Sequence, residues 1–171
     1  MIGYAEVIQT MAAMIIFSMI LMSANHMIHR NTMLQIDGEL EQEVISLGQE
    51  IIEEARSKAF DQVTVNAAAP PAIIPGGFTA ANNLGPDAGE NTRSQFNDFD
   101  DYNGWTETMT TSHGNFNVSV EVFYVDENNF QKINTPSTFK KIEVTITSDF
   151  LRTGDAPTEY VLEFIRNYYA D

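Results

Sequence analysis

The stretch VIQTMAAMIIFSMILMSA, residues 7–24, contains no charged side chain, and the uncharged run continues to His29 before Arg30 ends it. Glu6 is the single formal charge ahead of this stretch. A helix of about 20 apolar residues crosses the hydrocarbon core of a bilayer. We therefore predict a membrane-spanning helix over residues 1–30, which we call the apolar segment.

A second helical pattern follows the apolar segment without a break. Glutamates surround a stripe of apolar residues that recur every three or four positions, which is one face of a helix. The stripe predicts an amphipathic helix over residues 31–60 that needs a sheet to cover it. Gly38 and Gly48 each weaken this helix by roughly 1 kcal/mol relative to alanine and are candidate bends. The stripe consists of Ile36, Leu40, Val44, Leu47, Ile51 and Ala55.

The middle of the chain lacks a clear period. Residues 62–66, QVTVN, alternate and predict a short strand, whereas residues 67–114 are rich in Ala, Pro, Gly and Asn and predict a long loop. A structureless loop of this length is uncommon unless it is functional or disordered. Four apolar side chains suggest that it is pinned onto a surface, a neighbouring subunit's among the options: Ile73, Ile74, Phe78 and Leu84.

The last third of the chain predicts an antiparallel sheet over residues 115–169. Residues 116–124 and 142–146 alternate apolar and polar side chains, which is typical of strands with one buried face. Residues 159–169 are apolar on both faces and fit a central strand or a helix; we favour the strand. The fold class is thus α+β, with a long N-terminal helix packed on about three to five antiparallel strands. Residues 31–171 form the globular region of this prediction.

Composition limits the function. The 171 residues contain 24 acidic and 9 basic side chains, for a formal net charge of −15, and no cysteine. Such a surface repels phosphate backbones, so we expect no nucleic-acid partner. The absence of cysteine excludes disulfides and Cys-based metal sites or catalysis. Because the sequence also lacks the G-x-S-x-G, H-E-x-x-H and phosphate-loop motifs, we do not expect an enzyme.

An acidic turn is the one candidate metal site. Asp98, Asp100, Asp101 and Asn103 precede Gly104 and offer oxygen ligands of the kind that calcium prefers. Their spacing does not match the D-x-[DN]-x-[DN]-G loop, so an exposed acidic turn without an ion is the alternative. We otherwise expect no cofactor.

Three further features have ordinary interpretations that we prefer. His26 and His29 share a helix face, which permits metal binding, but no carboxylate lies within the next turn, so we interpret them as polar residues at the membrane exit. Asn117 begins an N-x-[ST] sequon inside a predicted strand. Trp105, the only tryptophan, is expected to pack in the core rather than serve as a ligand platform.

In layout, the whole chain resembles a type IV pilin or a related pseudopilin. The resemblance rests on the uncharged N-terminal helix with its early Glu6 and on the continuation of that helix into an amphipathic one. It also rests on two segments, FKKIEVTITSDFL with the following TEYVLEFIRNYY, and NDFDDYNGW at residues 97–105. The register of Glu6 is one position later than usual if Met1 is the mature terminus. The mid-helix proline and the C-terminal disulfide loop of many pilins are absent.

The resemblance implies a lollipop-shaped subunit of a helical filament. Such subunits enter the inner membrane, lose a leader, are often methylated at the new terminus, and are extracted by the pilus assembly machinery into a filament at the cell surface that serves attachment or motility. The N-terminal helices form the filament core, where the glutamate pairs with a neighbour's amino terminus. The residues that would assemble here are Glu6, Met1, Met11, Met14, Ile15, Phe17, Met19 and Leu21.

Two alternatives remain at this point. One is a minor pilin or a type II secretion pseudopilin, which forms only a tip or a short piston. The other is a periplasmic binding module that a single membrane span holds in the bilayer as a monomer.

Overall fold

The computed structural model describes residues 3–67, 69–153 and 156–170. The chain divides into two units, residues 1–41 and residues 42–171, which we call the N-terminal unit and the C-terminal unit. One helix, α1, extends over Tyr4–Arg56, and four short 3-10 helices follow at Gln62–Ala67, Ala81–Asn83, Arg93–Gln95 and Asp100–Tyr102. The strands are β1 (Thr106–Thr111), β2 (Gly114–Tyr124), β3 (Phe139–Thr153) and β4 (Ala156–Asn167).

Helix α1 confirms the two helical patterns of the sequence as one element of 53 residues. Neither predicted bend interrupts it, because Gly38 and Gly48 both lie within the helix. The apolar stripe is buried at Leu40, Val44, Ile51 and Ala55 and half-buried at Leu47, whereas Ile36 is 45% exposed.

The C-terminal part of α1 packs closely on the sheet at Gly48. A Cβ atom built on this glycine would lie 2.8 Å from Cδ2 of Leu162, which is closer than real Cβ contacts come. The absence of a side chain at Gly48 therefore lets β4 approach the helix.

The sheet is antiparallel with the order β1-β2-β3-β4, so every strand pairs with its neighbour in sequence. The alternating residues of β2 and β3 place one face in the core, as the sequence predicted. Strand is also the correct choice for residues 159–167, but β4 is an edge strand rather than a central one, and its Val161 is 48% exposed. The buried strand residues include Phe116, Val118, Val120, Val122, Ile142, Val144 and Ile146.

Two predictions for the middle of the chain are wrong. Residues 62–66 belong to a 3-10 helix, in which the amide of Thr64 donates to the carbonyl of Asp61 at 2.8 Å. The predicted loop of residues 67–114 contains β1, which pairs with β2 over its whole length.

The loop after the first 3-10 helix packs on the C-terminal unit itself. Phe78 and Leu84 are buried beside Phe60 and Tyr124, and Ile74 packs against them. Ile73 is 71% exposed. Of the four loop residues predicted to pack on a surface, Ile74, Phe78 and Leu84 therefore pack in this cluster, and Ile73 lies at the surface. The rings of Phe60, Phe78 and Tyr168 lie with their centroids 5.1–5.3 Å apart.

Candidate functional site

The apolar segment is one candidate functional region. Every described side chain from Gly3 to Asp37 is exposed, and α1 is long and apolar enough to cross a membrane by length and composition. A contiguous apolar surface of this size marks a site of contact with lipid or protein. Met1 lies outside the described residues, and the other apolar assembly candidates are 54–70% exposed: Met11, Met14, Ile15, Phe17, Met19 and Leu21.

Glu6 lies in the first turn of α1. Its Oε2 accepts a hydrogen bond from the backbone amide of Gly3 at 3.2 Å, and the amide of Glu6 donates to the carbonyl of Gly3 at 3.0 Å. The positive end of the helix dipole also stabilises a carboxylate at this position. The glutamate is therefore oriented toward the N-terminal end of its own helix.

The acidic turn is buried, which contradicts the interpretation of an exposed turn. Asp98, Asp100 and Asp101 are each 1–2% exposed. Oδ1 of Asp98 accepts the amides of Asp100 and Asp101 at 2.9 and 3.2 Å, and Oδ2 of Asp101 accepts the amides of Asn97 and Asp98 at 2.8 and 3.0 Å. The carboxylates thus fold the turn back on its own backbone.

The four predicted calcium ligands do not share one centre. Asn103 donates to the carbonyl of Leu84 and accepts the amide of Val122. Asp100 contacts Lys140 instead. The described residues bring a different trio together, Asp87, Asp98 and Asp101, whose ligand atoms lie within 4.8 Å of one another. Calcium binding by Asp98, Asp100, Asp101 and Asn103 stays a prediction, although the four side chains do not converge on one point.

A buried pair of basic residues is the feature that the sequence interpretation missed. Lys140 on β3 is fully buried and Arg166 on β4 is 6% exposed, and the two are direct partners in the strand register. The guanidinium of Arg166 donates to the carbonyls of Lys58 and Ala59 at 2.8 and 3.1 Å and lies over the ring of Phe99.

The alternation of side chains along β3 and β4 could have identified both buried cations from the sequence. Lys140 has the same parity as Ile142, Val144 and Ile146, and Arg166 has the same parity as Leu162 and Phe164. Period-two alternation therefore places both cations on the covered face. Buried cations need anionic partners, and the acidic turn supplies some of them.

Lys140 is held by three acceptors. Its Nζ donates to the carbonyl of Phe60 at 2.8 Å, to Oδ2 of Asp61 at 2.8 Å and to Oδ1 of Asp100 at 2.5 Å. Asp61 is fully buried as well. The rings of Phe60 and Tyr124 flank the amine, with centroids 4.7 and 5.3 Å from Nζ. We call Lys140, Asp61, Asp98 and Asp100 the buried charge cluster.

The carboxyls of the buried charge cluster differ in proton affinity. Burial raises the pKa of Asp98 to about 9, the carboxylates of Asp100 and Asp101 act in the same direction, and Lys140 opposes them. Burial also raises the pKa of Asp100 against the opposing effect of Lys140. For Asp61, burial is more than offset by Lys140 and by hydrogen bonds from Thr79, so its pKa is lowered. The surroundings thus favour the carboxylate form of Asp61 and disfavour the carboxylate form of Asp98.

The remaining candidates lie apart from this cluster. His26 and His29 are exposed on α1. Trp105 is half-buried rather than in the core, and the guanidinium of Arg93 lies 5.3 Å from the centroid of its indole ring. Asn117 is exposed on β2, where its Oδ1 accepts the hydroxyl of Thr108 at 2.8 Å.

The geometry defines the class of the protein as α+β, with a long N-terminal helix packed on a four-stranded antiparallel sheet. The N-terminal helix is also long and apolar enough that it could anchor the chain in a membrane. Comparison with models of known protein families, with curated proteins and with solved structures finds no match.

Proposed function

We propose that the chain is a structural subunit of a pilus-like helical filament and polymerises through its apolar segment. The observation that carries the proposal is the exposure of residues 3–30, the described part of the apolar segment, within helix α1. Burial of such side chains is worth about 1.5–3 kcal/mol each, so the segment requires lipid or protein around it. A lipid-filled environment before assembly and a bundle of identical helices afterwards both meet that requirement.

The continuity of α1 favours assembly over simple anchoring. A flexible linker is sufficient to tether a module to a membrane, whereas in the pilins that this chain resembles the apolar helix continues directly into the amphipathic one. The helix retains its backbone hydrogen bonding through Arg30 and Gly38, where a linker would interrupt it. The seven methionines of residues 1–33 supply unbranched side chains that adapt to the surfaces of neighbouring helices.

Glu6 gives the helix bundle a specific contact. A carboxylate in an apolar core is costly unless a cation or several donors meet it. The amide of Gly3 is one such donor. In a filament, the amino terminus of an adjacent subunit would supply the cation, as in the pilins that this chain resembles. Glu6 would thus set the axial register between neighbours.

The C-terminal unit would coat the filament. Of the 24 acidic residues, only Glu6 lies in the apolar segment, so the negative charge belongs to the rest of the chain. Like charges repel, and an outward position keeps them in solvent of high dielectric constant. The proposal includes insertion in the cytoplasmic membrane before assembly, action of pilus assembly machinery, and a cell-surface location that serves attachment or motility.

Electron microscopy of sheared surface filaments tests the proposal. Cells that produce the wild-type chain are expected to shed long fibres in which an antibody against the C-terminal unit labels the whole length. Glu6→Gln should reduce fibre yield while the chain still accumulates in the membrane, and the exposed Glu127→Gln should leave the yield unchanged. Normal fibres from Glu6→Gln would refute the role of Glu6.

The same experiment separates the proposal from its alternatives. Labelling confined to fibre tips would indicate a minor pilin, and short membrane-attached fibres would indicate a pseudopilin. A chain that remains in the membrane while no fibre carries the label would refute filament assembly and favour a membrane-anchored binding module.

A further inference from the structure

The buried charge cluster has the geometry of a site for covalent bond formation. The amine of Lys140 lies 2.5 Å from a carboxyl oxygen of Asp100, and both side chains are at most 3% exposed. Nucleophile and electrophile are therefore in contact without intervening water. Groups held in this way have effective molarities of about 10⁵–10⁸ M, which is sufficient to drive a condensation that is unfavourable between free molecules in water.

The backbone around both partners is fixed. The amide of Phe99 donates to the carbonyl of Ala59 at 2.9 Å, and the amide of Ala59 donates to the carbonyl of Asn97 at 3.2 Å. Lys140 lies near the start of β3, where it pairs with Tyr124 of β2 on one side and Arg166 of β4 on the other. Because neither element needs to move, little conformational entropy is lost when the two side chains join.

The surroundings of the two reacting groups exclude water. The rings of Phe60 and Tyr124 flank the amine, with centroids 4.7 and 5.3 Å from Nζ. The free amine is the nucleophilic form of lysine.

The two carboxyls that contact Lys140 have different roles. Asp61 accepts the amide and hydroxyl of Thr79 at 3.0–3.2 Å and the hydroxyl of Tyr124 at 3.2 Å, so donors saturate it as a carboxylate. Asp100 instead lies beside Asp98, whose Oδ1 accepts the backbone amide of Asp100 at 2.9 Å. A carboxyl group in this position can relay a proton from the nitrogen to the departing oxygen.

We propose that Nζ of Lys140 condenses with Cγ of Asp100 to form an intramolecular amide bond between β3 and the acidic turn. Nζ attacks Cγ, a carbon–nitrogen bond forms, and one carbon–oxygen bond of the carboxyl group breaks. Asp98 donates a proton to the departing oxygen and regains one from the nitrogen. In sum, the ammonium and the carboxylate give one amide and one water, with no oxidant, reductant or cofactor.

Mass spectrometry of the full-length chain tests this bond. The wild-type protein is expected to be lighter by one water, about 18 Da, than its processed sequence requires. Trypsin should release residues 94–132 joined to residues 133–141, because the modified Lys140 is no longer a cleavage site, and fragment ions should place the link at Asp100. Separate, unmodified peptides from the folded wild-type protein would overturn the proposal. A link from Lys140 to residues 59–93 would overturn the assignment to Asp100 in favour of Asp61.

Matched variants test the chemistry. Lys140→Arg should restore the full mass, whereas Lys141→Arg, at the adjacent half-buried lysine that pairs with Glu143 and Glu163, should keep the loss of water. Asp98→Asn preserves the shape of the side chain and its acceptor oxygen but removes the acid, so the linked fraction should fall at least tenfold. An Asp98→Asn protein with the wild-type linked fraction would refute the proton relay. The wild-type mass decides the existence of the bond even if a variant fails to fold.

Discussion

Gly48 gives the most direct test of how α1 packs on the sheet. Replacement of a helical glycine by alanine stabilises a helix by up to about 1 kcal/mol. At Gly48, however, the new Cβ would lie 2.8 and 2.9 Å from the two methyl carbons of Leu162 and 3.2 Å from its Cγ. The whole side chain of Leu162 must then shift, and overpacking of this kind costs about 1–3 kcal/mol. The gain in helix propensity is common to any glycine within α1, so we expect Gly48→Ala to be less stable than alanine at an unobstructed glycine of this helix by about 1–3 kcal/mol in the free energy of unfolding.

Gly38 in the same helix is the matched control. A Cβ on Gly38 meets no atom within 4 Å, so Gly38→Ala should be neutral or gain up to about 1 kcal/mol. Urea unfolding of the detergent-solubilised chain, followed by fluorescence of the single Trp105, measures both variants. Adding Leu162→Ala should remove the penalty of Gly48→Ala and leave a favourable coupling energy. Equal transition midpoints for Gly48→Ala and Gly38→Ala would refute the close approach of β4 at Gly48.

Two further predictions concern the core of the C-terminal unit. The raised pKa of Asp98 means that above pH 3.8 the unfolded chain releases a proton that the folded chain keeps until about pH 9. Stability contributed by this group is therefore lost as pH rises through that window, by at most about 1.4 kcal/mol per pH unit. Asp98→Asn should gain stability relative to wild type in urea melts at pH 8 compared with pH 5, and a constant difference would contradict the shift. Phe60→Ala should cost about 3–5 kcal/mol, because Phe60 packs against Phe78 and Tyr168, whereas Phe130→Ala at a 45% exposed ring should cost far less. Similar losses for the two phenylalanine variants in thermal melts would argue against the aromatic cluster.

Periodicity predicted the elements that have one clearly buried face. In the stripe of α1 and in the alternation of β2 and β3, apolar residues recur at the period of a helix and of a strand. The pattern alone is therefore sufficient to predict these elements. Strand β1, TETMTT, was not predicted from the sequence, because Met109 is its only apolar residue and most of its side chains are exposed. Its place in the sheet depends on backbone pairing with β2, which composition does not reveal.

Local side-chain chemistry misled the prediction for residues 62–66. Val63 and Val65 alternate as in a strand, but the hydroxyl of Thr64 donates to the carbonyl of Asp61 and Asn66 takes a left-handed conformation with φ of 59°. Hydrogen bonds of this kind compete with strand pairing.

The buried charge cluster was partly predictable. The parity of Lys140 places it on the covered face, and a buried cation requires a carboxylate. The sequence does not say which of the 24 acidic residues meets it, because Asp61 and Asp100 are 79 and 40 residues away along the chain. That pairing arises only from the packing of the loop on the sheet.

The order of these residues along the chain sets a schedule for biosynthesis. The apolar segment leaves the ribosome first and can enter a membrane before any strand of the sheet exists. The carboxylates of the buried charge cluster follow and stay hydrated until Lys140 emerges. Pairing of each strand with its sequence neighbour is local and fast, so the sheet can close soon after β4 has emerged. The contacts of Lys140 with Asp61 and Asp100 close loops of 79 and 40 residues, so they cost more loop entropy than strand pairing and require that β3 has emerged.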